Sequence, residues 1–427
     1  MYFRTRFAVA LAIAQSLIST TSEAKEVGAC APVTRENLVR CALSASPAVR
    51  RENYGTAAAE GRVQAARPIL PSNPVLAGAL ARRASNGSDP TAVNWTATLA
   101  QEIEIAGGRG ARLRAAEHEK LAQKSRAIGT ERDTATLAWA AYFDAIADRE
   151  QLRLAEQMET LGALLARAAR ARADRGVGST VDADVAEAAQ IRIVQERFAA
   201  DRQVRSSTAA LASLTGGDPL GADGGVDGEL VPLHAVDALR GDTTSAVASR
   251  PEIAAARAER SSFDARASAF RRARVPNVTV SVFAQNDGYH EKVLGMGLAL
   301  PIPIPGVGRT YAGEIAEANA LAAQASSEVD RLTLTARLEL ATALQGLDSR
   351  RDELDAFSKE RLERAEKSLG DIATEIEAGR LGVRDALLAQ QALIDLLRSH
   401  LEARRALCLA SVELARAANL PLERGVQ

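Results

Sequence analysis

Aromatic residues are scarce: Phe, Trp and Tyr make up 4% of the 427 residues, although the wider apolar set reaches 47%. Few large rings among many Ala and Leu fit long, closely packed helices better than a thick globular core. A charge of one sign is also missing. The 53 Lys plus Arg against 54 Asp plus Glu leave a net charge of -1, without the basic excess of a dedicated nucleic-acid binder. Three Cys and four His are too few and too scattered for a zinc ribbon or an iron–sulfur centre. His118, His234, His290 and His400 stand far apart, with no His-x-x-x-His or Cys-x-x-Cys pair to ligate a metal. His118 and His400 fall in predicted helices among charged neighbours and read as solvated surface residues. Neither a phosphate loop nor a Gly-x-Ser-x-Gly elbow is present. Gly176-x-Gly178 and Gly306-x-Gly308 read as turn glycines. No catalytic, cofactor or metal site is therefore expected, and the chain reads as a non-enzyme. Past residue 25 no run of eighteen apolar residues occurs. That excludes a helical membrane protein but not a β-barrel, whose sequence signal is weaker.

What is present begins with an export signal. Arg4 and Arg6 form a positive n-region, an apolar run follows over 7–18, and Ser22-Glu23-Ala24 offers small residues for cleavage after Ala24. Val27-Gly28-Ala29-Cys30 resembles a lipoprotein box, but Lys25 and Glu26 separate it from the apolar run. Cys30 thus has three readings: a lipid anchor, a free thiol, or a disulfide to Cys41 in an oxidising compartment. The disulfide is the expectation adopted here. Cys408, inside a predicted helix, reads as a free structural thiol.

Proline placement divides the rest. Residues 91–218 and 306–420 contain none, and each stretch turns from an alternating segment into Ala, Leu, Glu, Arg and Gln at helical spacing. Long helices are expected over about 111–175, 181–215, 310–378 and 383–418. The first would extend about 100 Å at 1.5 Å per residue. The halves also repeat. Leu99-Ala100 and Ile103-x-Ile105 match Leu298-Ala299 and Ile302-x-Ile304, Gly108-Arg109 matches Gly308-Arg309, and Gly176-x5-Asp182-Ala183 matches Gly379-x5-Asp385-Ala386. Offsets between 199 and 203 are what a tandem duplication leaves. The first repeat is assigned to 25–215 and the second to 244–427. A Gly- and Asp-rich linker over 216–243 is too poor in apolar residues to be a domain.

Strands are expected at about 73–83, 93–105, 277–285 and 293–304, each with one oily face. Val93, Trp95, Leu99, Ile103 and Ile105 alternate with Asn94, Thr96, Thr98, Glu102 and Glu104. Alternating strands of about ten residues suit an outer-membrane barrel, apolar to lipid and polar to the lumen. A soluble antiparallel sheet packed on helices shows the same pattern. Four strands cannot close a barrel alone, so the barrel reading demands an oligomer.

Signal peptide, duplicated strand–strand–long-helix halves and Gly-Arg at each strand-to-helix passage together resemble the TolC-like outer membrane factors over 34–421. The resemblance implies a mainly α fold with a membrane β-barrel segment. It implies a homotrimer with a twelve-stranded barrel in the outer membrane of a Gram-negative bacterium, surrounded by outer-membrane lipid, above an α-helical periplasmic tunnel. It also implies a periplasmic adaptor and an inner-membrane pump of the resistance-nodulation-division type as partners, with no nucleic acid. Gln101-Glu102-Ile103-Glu104-Ile105-Ala106-Gly107-Gly108-Arg109-Gly110 and the short helical tips resemble the heavy-metal efflux branch. The expected function is a passive exit duct for divalent metal cations. Alternatives are a duct for drugs or other small molecules and, from another class, a soluble periplasmic coiled-coil scaffold.

Residue expectations follow. Gly176, Val177, Gly178 and Asp182, with Gly379, Arg380, Gly382 and Asp385, form tips that contact an adaptor or simply cap helices. Asp385 either narrows the periplasmic opening as an acidic ring or only favours its helix N-terminus; Leu388 stands where some members carry a further Asp. Glu102 and Glu104 point into the lumen near the neck. In a trimer they either form a ring of six carboxylates that raises local cation concentration, or simply solvate a lumen face or pair with Arg109 and Arg112. Gly107, Gly108 and Arg109, with Pro305, Gly306, Gly308 and Arg309, form the strand-to-helix passages.

Overall fold

The protein is seen in a computed structural model that describes residues 30, 32–83, 92–220, 225–233, 243–286, 291–302, 304 and 308–422. The expected signal peptide, the residues of the lipoprotein-like box ahead of Cys30, and His234, His290, Pro303, Pro305 and Gly306 lie outside the described residues. Helices α1 (Leu38–Ala45) and α2 (Pro47–Ala66) lead into strands β1 (Val75–Arg83) and β2 (Ala92–Ile103). The chain then runs down α3 (Gly108–Asp174) and returns in α4 (Thr180–Thr215). The second half repeats the order with α5 (Thr243–Ala248), α6 (Pro251–Ala273), β3 (Val278–Asn286), β4 (Lys292–Ala299), α7 (Ala312–Asp355), α8 (Lys359–Glu377) and α9 (Val383–Ala417).

Local chemistry sets these boundaries. Ser46 caps α2, its hydroxyl accepting from the Val49 amide at 3.3 Å, and Pro47 occupies the first helical position, where no N–H is needed. Pro251 opens α6 in the same way. Helix α3 has no proline in its 67 residues and spans about 100 Å.

Three sequence expectations are corrected. The helix expected over 310–378 is two helices, separated at 356–358. The Phe357 amide donates to Leu354, Ser358 is extended, and its carbonyl accepts from Arg361 and Leu362 to start α8. No Pro or Gly marks this break. It is set by the Phe357 ring turning onto His400 of α9, with ring centroids 5.5 Å apart. The strand expected over 293–304 ends at Ala299, because Pro301 cannot donate to a ladder. Strand β2 likewise stops at Ile103, whose partner Val278 is the first residue of β3.

The four strands form one antiparallel sheet in the order β1-β2-β3-β4, which leaves β1 and β4 as open edges. Leu76 opposes Leu99, which opposes Val282, which opposes Met296. Below the sheet the helices bury two apolar clusters. The larger surrounds Trp139, Tyr142, Phe143 and Ile146 midway along α3, and the smaller surrounds Met158, Leu165, Leu369 and Ile376 towards its end. Residues 225–233 of the linker cross the larger cluster as a strap. Val226, Leu230 and Leu233 are buried, and Val226 forms a parallel bridge with Val33. Tyr142 Oη donates to the Asp227 carbonyl at 2.9 Å. Gly228 is left-handed (φ 144°), and a Cβ there would overlap the Tyr142 hydroxyl, so no other residue fits.

Candidate functional site

The sheet separates two chemistries. One face carries Leu76, Leu80, Val93, Leu99, Leu294, Met296 and Leu298, all exposed, with Leu80 at 81% and Leu294 at 84%. The other face carries Thr96, Thr98, Glu102, Thr279, Ser281 and Gln285. Phe283 also lies on that face and folds over Gly295, where a Cβ would overlap its ring. Large exposed apolar side chains in a continuous band demand an apolar medium, and the opposite polar face suits water. Among the described residues no helix is long and apolar enough to cross a membrane.

At the neck, where strands meet helices, the carboxylates are paired. Glu104 accepts from Arg112 Nη1 at 3.0 Å and Nη2 at 2.9 Å. Glu102 accepts from Asn277 Nδ2 at 2.8 Å and Ser72 Oγ at 3.1 Å. Of the two carboxylates, Glu104 is thus paired with Arg112, while Glu102 is held by neutral groups. The fork of Arg112 matches Glu104, whereas Arg109 Nε donates to the Arg67 carbonyl at 2.8 Å. The two passages also differ. Gly107 is left-handed (φ 66°) and ushers Gly108 and Arg109 into α3, and a Cβ on Gly108 would overlap Glu104. In the second half Gly308 and Arg309 precede the helix, and Tyr311 takes the left-handed position (φ 54°). Strain in a residue with a Cβ needs support. The Tyr311 ring stacks on Phe270 at 6.2 Å and lies under the Arg309 guanidinium at 4.8 Å.

At the far end the two hairpin tips share one turn chemistry. Gly176 (φ 72°) and Gly379 (φ 75°) are left-handed. The next amides reach back five residues, Val177 to the Arg172 carbonyl at 3.1 Å and Arg380 to the Glu375 carbonyl at 2.9 Å. This is the Schellman closure of a helix C-terminus. Gly178 packs against Arg172, Ser179 caps α4, and Asp182 sits in that helix's first turn. Gly382 is the N-cap of α9 with Asp385 in its first turn, each acid favourable to the dipole. Gly176, Val177, Gly178, Asp182 and Gly382 line one cavity of about 430 Å³, so the tips are neighbours. Arg380 is held by Glu375 at 2.6 and 2.7 Å, and Asp385 is exposed.

Residues 38–217 and 243–420 match the family described as outer membrane efflux protein. The chain belongs to this family. Among curated relatives, it is 27% identical over 302 residues to the cobalt-zinc-cadmium resistance protein CzcC of Cupriavidus metallidurans, covering 70% of each chain. It is also 27% identical over 303 residues to the nickel-cobalt-cadmium resistance protein NccC of Alcaligenes xylosoxydans xylosoxydans, covering 70% of this chain and 67% of that one. Among solved structures, CusC superposes with a TM-score of 0.74 at 16% identity, covering 90% of this chain and 91% of its own. The Campylobacter jejuni outer membrane channel CmeC does so with 0.74 at 15% identity, covering 90% and 85%. The efflux protein is thus an outer-membrane duct that extends into the periplasm, with the TolC-like fold.

Further contacts of this efflux protein involve its cysteines, His400 and Arg250. Cys30 and Cys41 are joined as a disulfide, with Cα atoms 6.1 Å apart. Burial pushes the Cys408 thiol up to about 12, which leaves it unreactive. His400 is corrected from a solvated residue to a half-buried one. Burial, and then the Arg404 guanidinium, hold its imidazole below the ordinary value, while Glu150 and Glu366 act in the opposite sense. Arg250 is 4% exposed and binds Glu252 at 2.6 Å and Glu339 at 2.7 Å, and Glu339 also meets Arg416 at 3.3 Å. The signal for this network was Arg250 standing directly before Pro251 at a helix start. Glu252 is two residues away, but Glu339 lies 89 residues away and Arg416 further still, so that part could not be read locally.

Proposed function

We propose that this efflux protein is the outer-membrane exit duct for divalent metal cations in a three-part export assembly. Its likeness to CzcC and NccC, whose names state resistance to cobalt, zinc, cadmium and nickel, carries this reading. The duct is passive, and the driving energy comes from an inner-membrane pump of the resistance-nodulation-division type. The open edges of β1 and β4 support a homotrimer: β4 of one protomer pairs with β1 of the next, closing twelve strands without an unpaired edge. Gly176, Val177, Gly178, Asp182, Gly379, Arg380, Gly382 and Asp385 then form the end that meets a periplasmic adaptor. Exposed Val177 offers an apolar contact there. Three copies of Asp385 narrow the opening with negative charge that attracts cations without holding them tightly.

Complementation tests the substrate. A strain lacking the gene should become sensitive to cobalt, zinc, cadmium or nickel, and the wild-type chain should restore both resistance and outward flux of the metal. Unchanged metal tolerance with a new sensitivity to hydrophobic drugs would replace the metal reading by a drug duct. Photo-crosslinkers placed at Val177 and Arg380 should capture an adaptor in cells. Asp385→Ala should lower cation preference in planar bilayers, and unchanged preference would leave Asp385 as a helix-capping acid only.

A further inference from the structure

The neck carries a concentration of positive charge that the export reading does not use. Segments 67–75, 102–114, 269–277 and 308–314 together hold eight arginines and three glutamates, with no lysine or aspartate. The whole chain has a net charge of -1. Two of those arginines are neutralised, Arg112 by Glu104 and Arg309 by Glu314. Others are held only by neutral groups. Arg109 donates to the Arg67 carbonyl, Arg272 Nη1 to the Ala106 and Gly107 carbonyls at 3.3 and 3.1 Å, and Arg274 Nε to the Thr310 carbonyl at 3.2 Å. These bonds hold the ends of α2, α3, α6 and α7 at one level. They fix the guanidinium groups of Arg109, Arg272 and Arg274 in place, and among the described residues no carboxylate pairs with these or with exposed Arg67.

The surroundings identify what opposes them. The apolar band of the sheet continues down to this level through exposed Ile69, Leu70, Ile105 and Val275. The stacked Phe270–Tyr311 pair lies at the same level, as amphipathic rings do at the headgroup layer of a bilayer. Apolar side chains above, paired rings beside and exposed guanidinium groups below follow the order of acyl chains, interface and phosphates. Guanidinium groups match phosphate oxygens in geometry and charge.

We propose that Arg67, Arg109, Arg272 and Arg274 form a belt that binds the phosphate headgroups of anionic phospholipids in the periplasmic leaflet, fixing the depth of the neck in the membrane. Each such charge is worth about fivefold in binding near an anionic surface, so a few together give a marked lipid preference. The belt does not depend on which substrate the duct carries.

Native mass spectrometry of the purified full-length oligomer tests it. The probes are phosphatidylglycerol and phosphatidylcholine, added separately to the detergent-solubilised protein. Wild type should retain phosphatidylglycerol about tenfold better than phosphatidylcholine, with the preference shrinking as salt is raised. Arg67→Gln/Arg272→Gln/Arg274→Gln should reduce it to about twofold or less, whereas the corresponding triple Lys variant should keep most of it. Millimolar inorganic phosphate should not displace the lipid. Equal retention of both lipids by wild type would overturn the belt. So would a Gln variant that assembles and keeps the full preference, or displacement by free phosphate, which would mark a small-anion site. If the Gln variant does not assemble, the wild-type salt series and the Lys variant decide: a salt-independent preference, or its loss in the Lys variant, would overturn the proposal.

Discussion

Arg172, at the end of α3, donates from Nη1 to the carbonyl of Ile376 near the end of α8 at 2.7 Å, tying one hairpin tip to the other. The same carbonyl also accepts from the Gly379 amide at 2.9 Å, the turn bond that replaces a helical one at the end of α8. A long-range bond from a charged donor thus adds to the backbone closure of the second tip.

Arg172→Ala should loosen the tips without disturbing the sheet. Removing a charged donor from a partly buried acceptor costs about 1.5–3 kcal/mol. Amide hydrogen exchange around 374–381 should accelerate, and exchange in the strands should not change. Equal protection in both proteins would show that the turn of Gly379 suffices by itself.

Gly176→Ala and Gly379→Ala should each destabilise the tip by about 1–2 kcal/mol, because a side chain disfavours the left-handed backbone there. No atom lies within 4 Å of a Cβ at Gly176, so the effect is conformational, not steric. Gly370→Ala, inside α8 with equally open space, should instead stabilise by roughly 0.5–1 kcal/mol. Urea midpoints for the three variants give the comparison.

Leu80 and Thr96 lie on opposite faces of the same strand pair. Leu80→Arg should abolish or strongly reduce assembled oligomer, since a charge at mid-membrane on the lipid face costs about 2–4 kcal/mol. Thr96→Arg faces the polar side and should assemble normally. Heat-modifiable oligomer on unheated gels reports both, and the reverse ranking would invert the face assignment.

Stability should fall with acidification in a way that traces to His400. Its folded value lies below the ordinary 6.5, so the unfolded chain binds the proton first as pH drops. The contribution is fully present above about pH 6.5 and is lost as pH falls from there through the folded value. His400→Gln should flatten that part of the melting-temperature profile. A profile as steep as wild type would assign the slope to other groups.

How much of this was readable in advance depends on the range of the interaction concerned. The alternation of Leu76, Leu80, Leu99 and Leu298 is a local signal, and so is the spacing from Gly176 to Asp182 and from Gly379 to Asp385. The faces and the turns were legible from these alone. Phe357 turning onto His400, Arg250 reaching Glu339 and Gly228 seating Tyr142 are contacts between distant segments. A run of good helix formers conceals the first, and a linker poor in apolar residues conceals the last. The strand ends fell short for a local reason: Pro301 was visible, but the alternation was extended past it. The partners of Glu102 and Glu104 were half visible, since Arg112 lies eight residues from Glu104 whereas Asn277 lies 175 from Glu102.

The two halves share an origin in sequence but not in mechanics. Helix α3 runs from neck to tip as a single strut, while its counterpart is jointed at 356–358 between α7 and α8. A load applied at the tips is therefore carried along α3 straight to the neck, where Arg112 and Glu104 receive it. In the other half the break at 356–358 interrupts that path between α7 and α8, before it reaches the sheet. The duplicated protomer is an unbroken post beside a jointed arm, so the two copies of one ancestral hairpin offer the tips unequal stiffness.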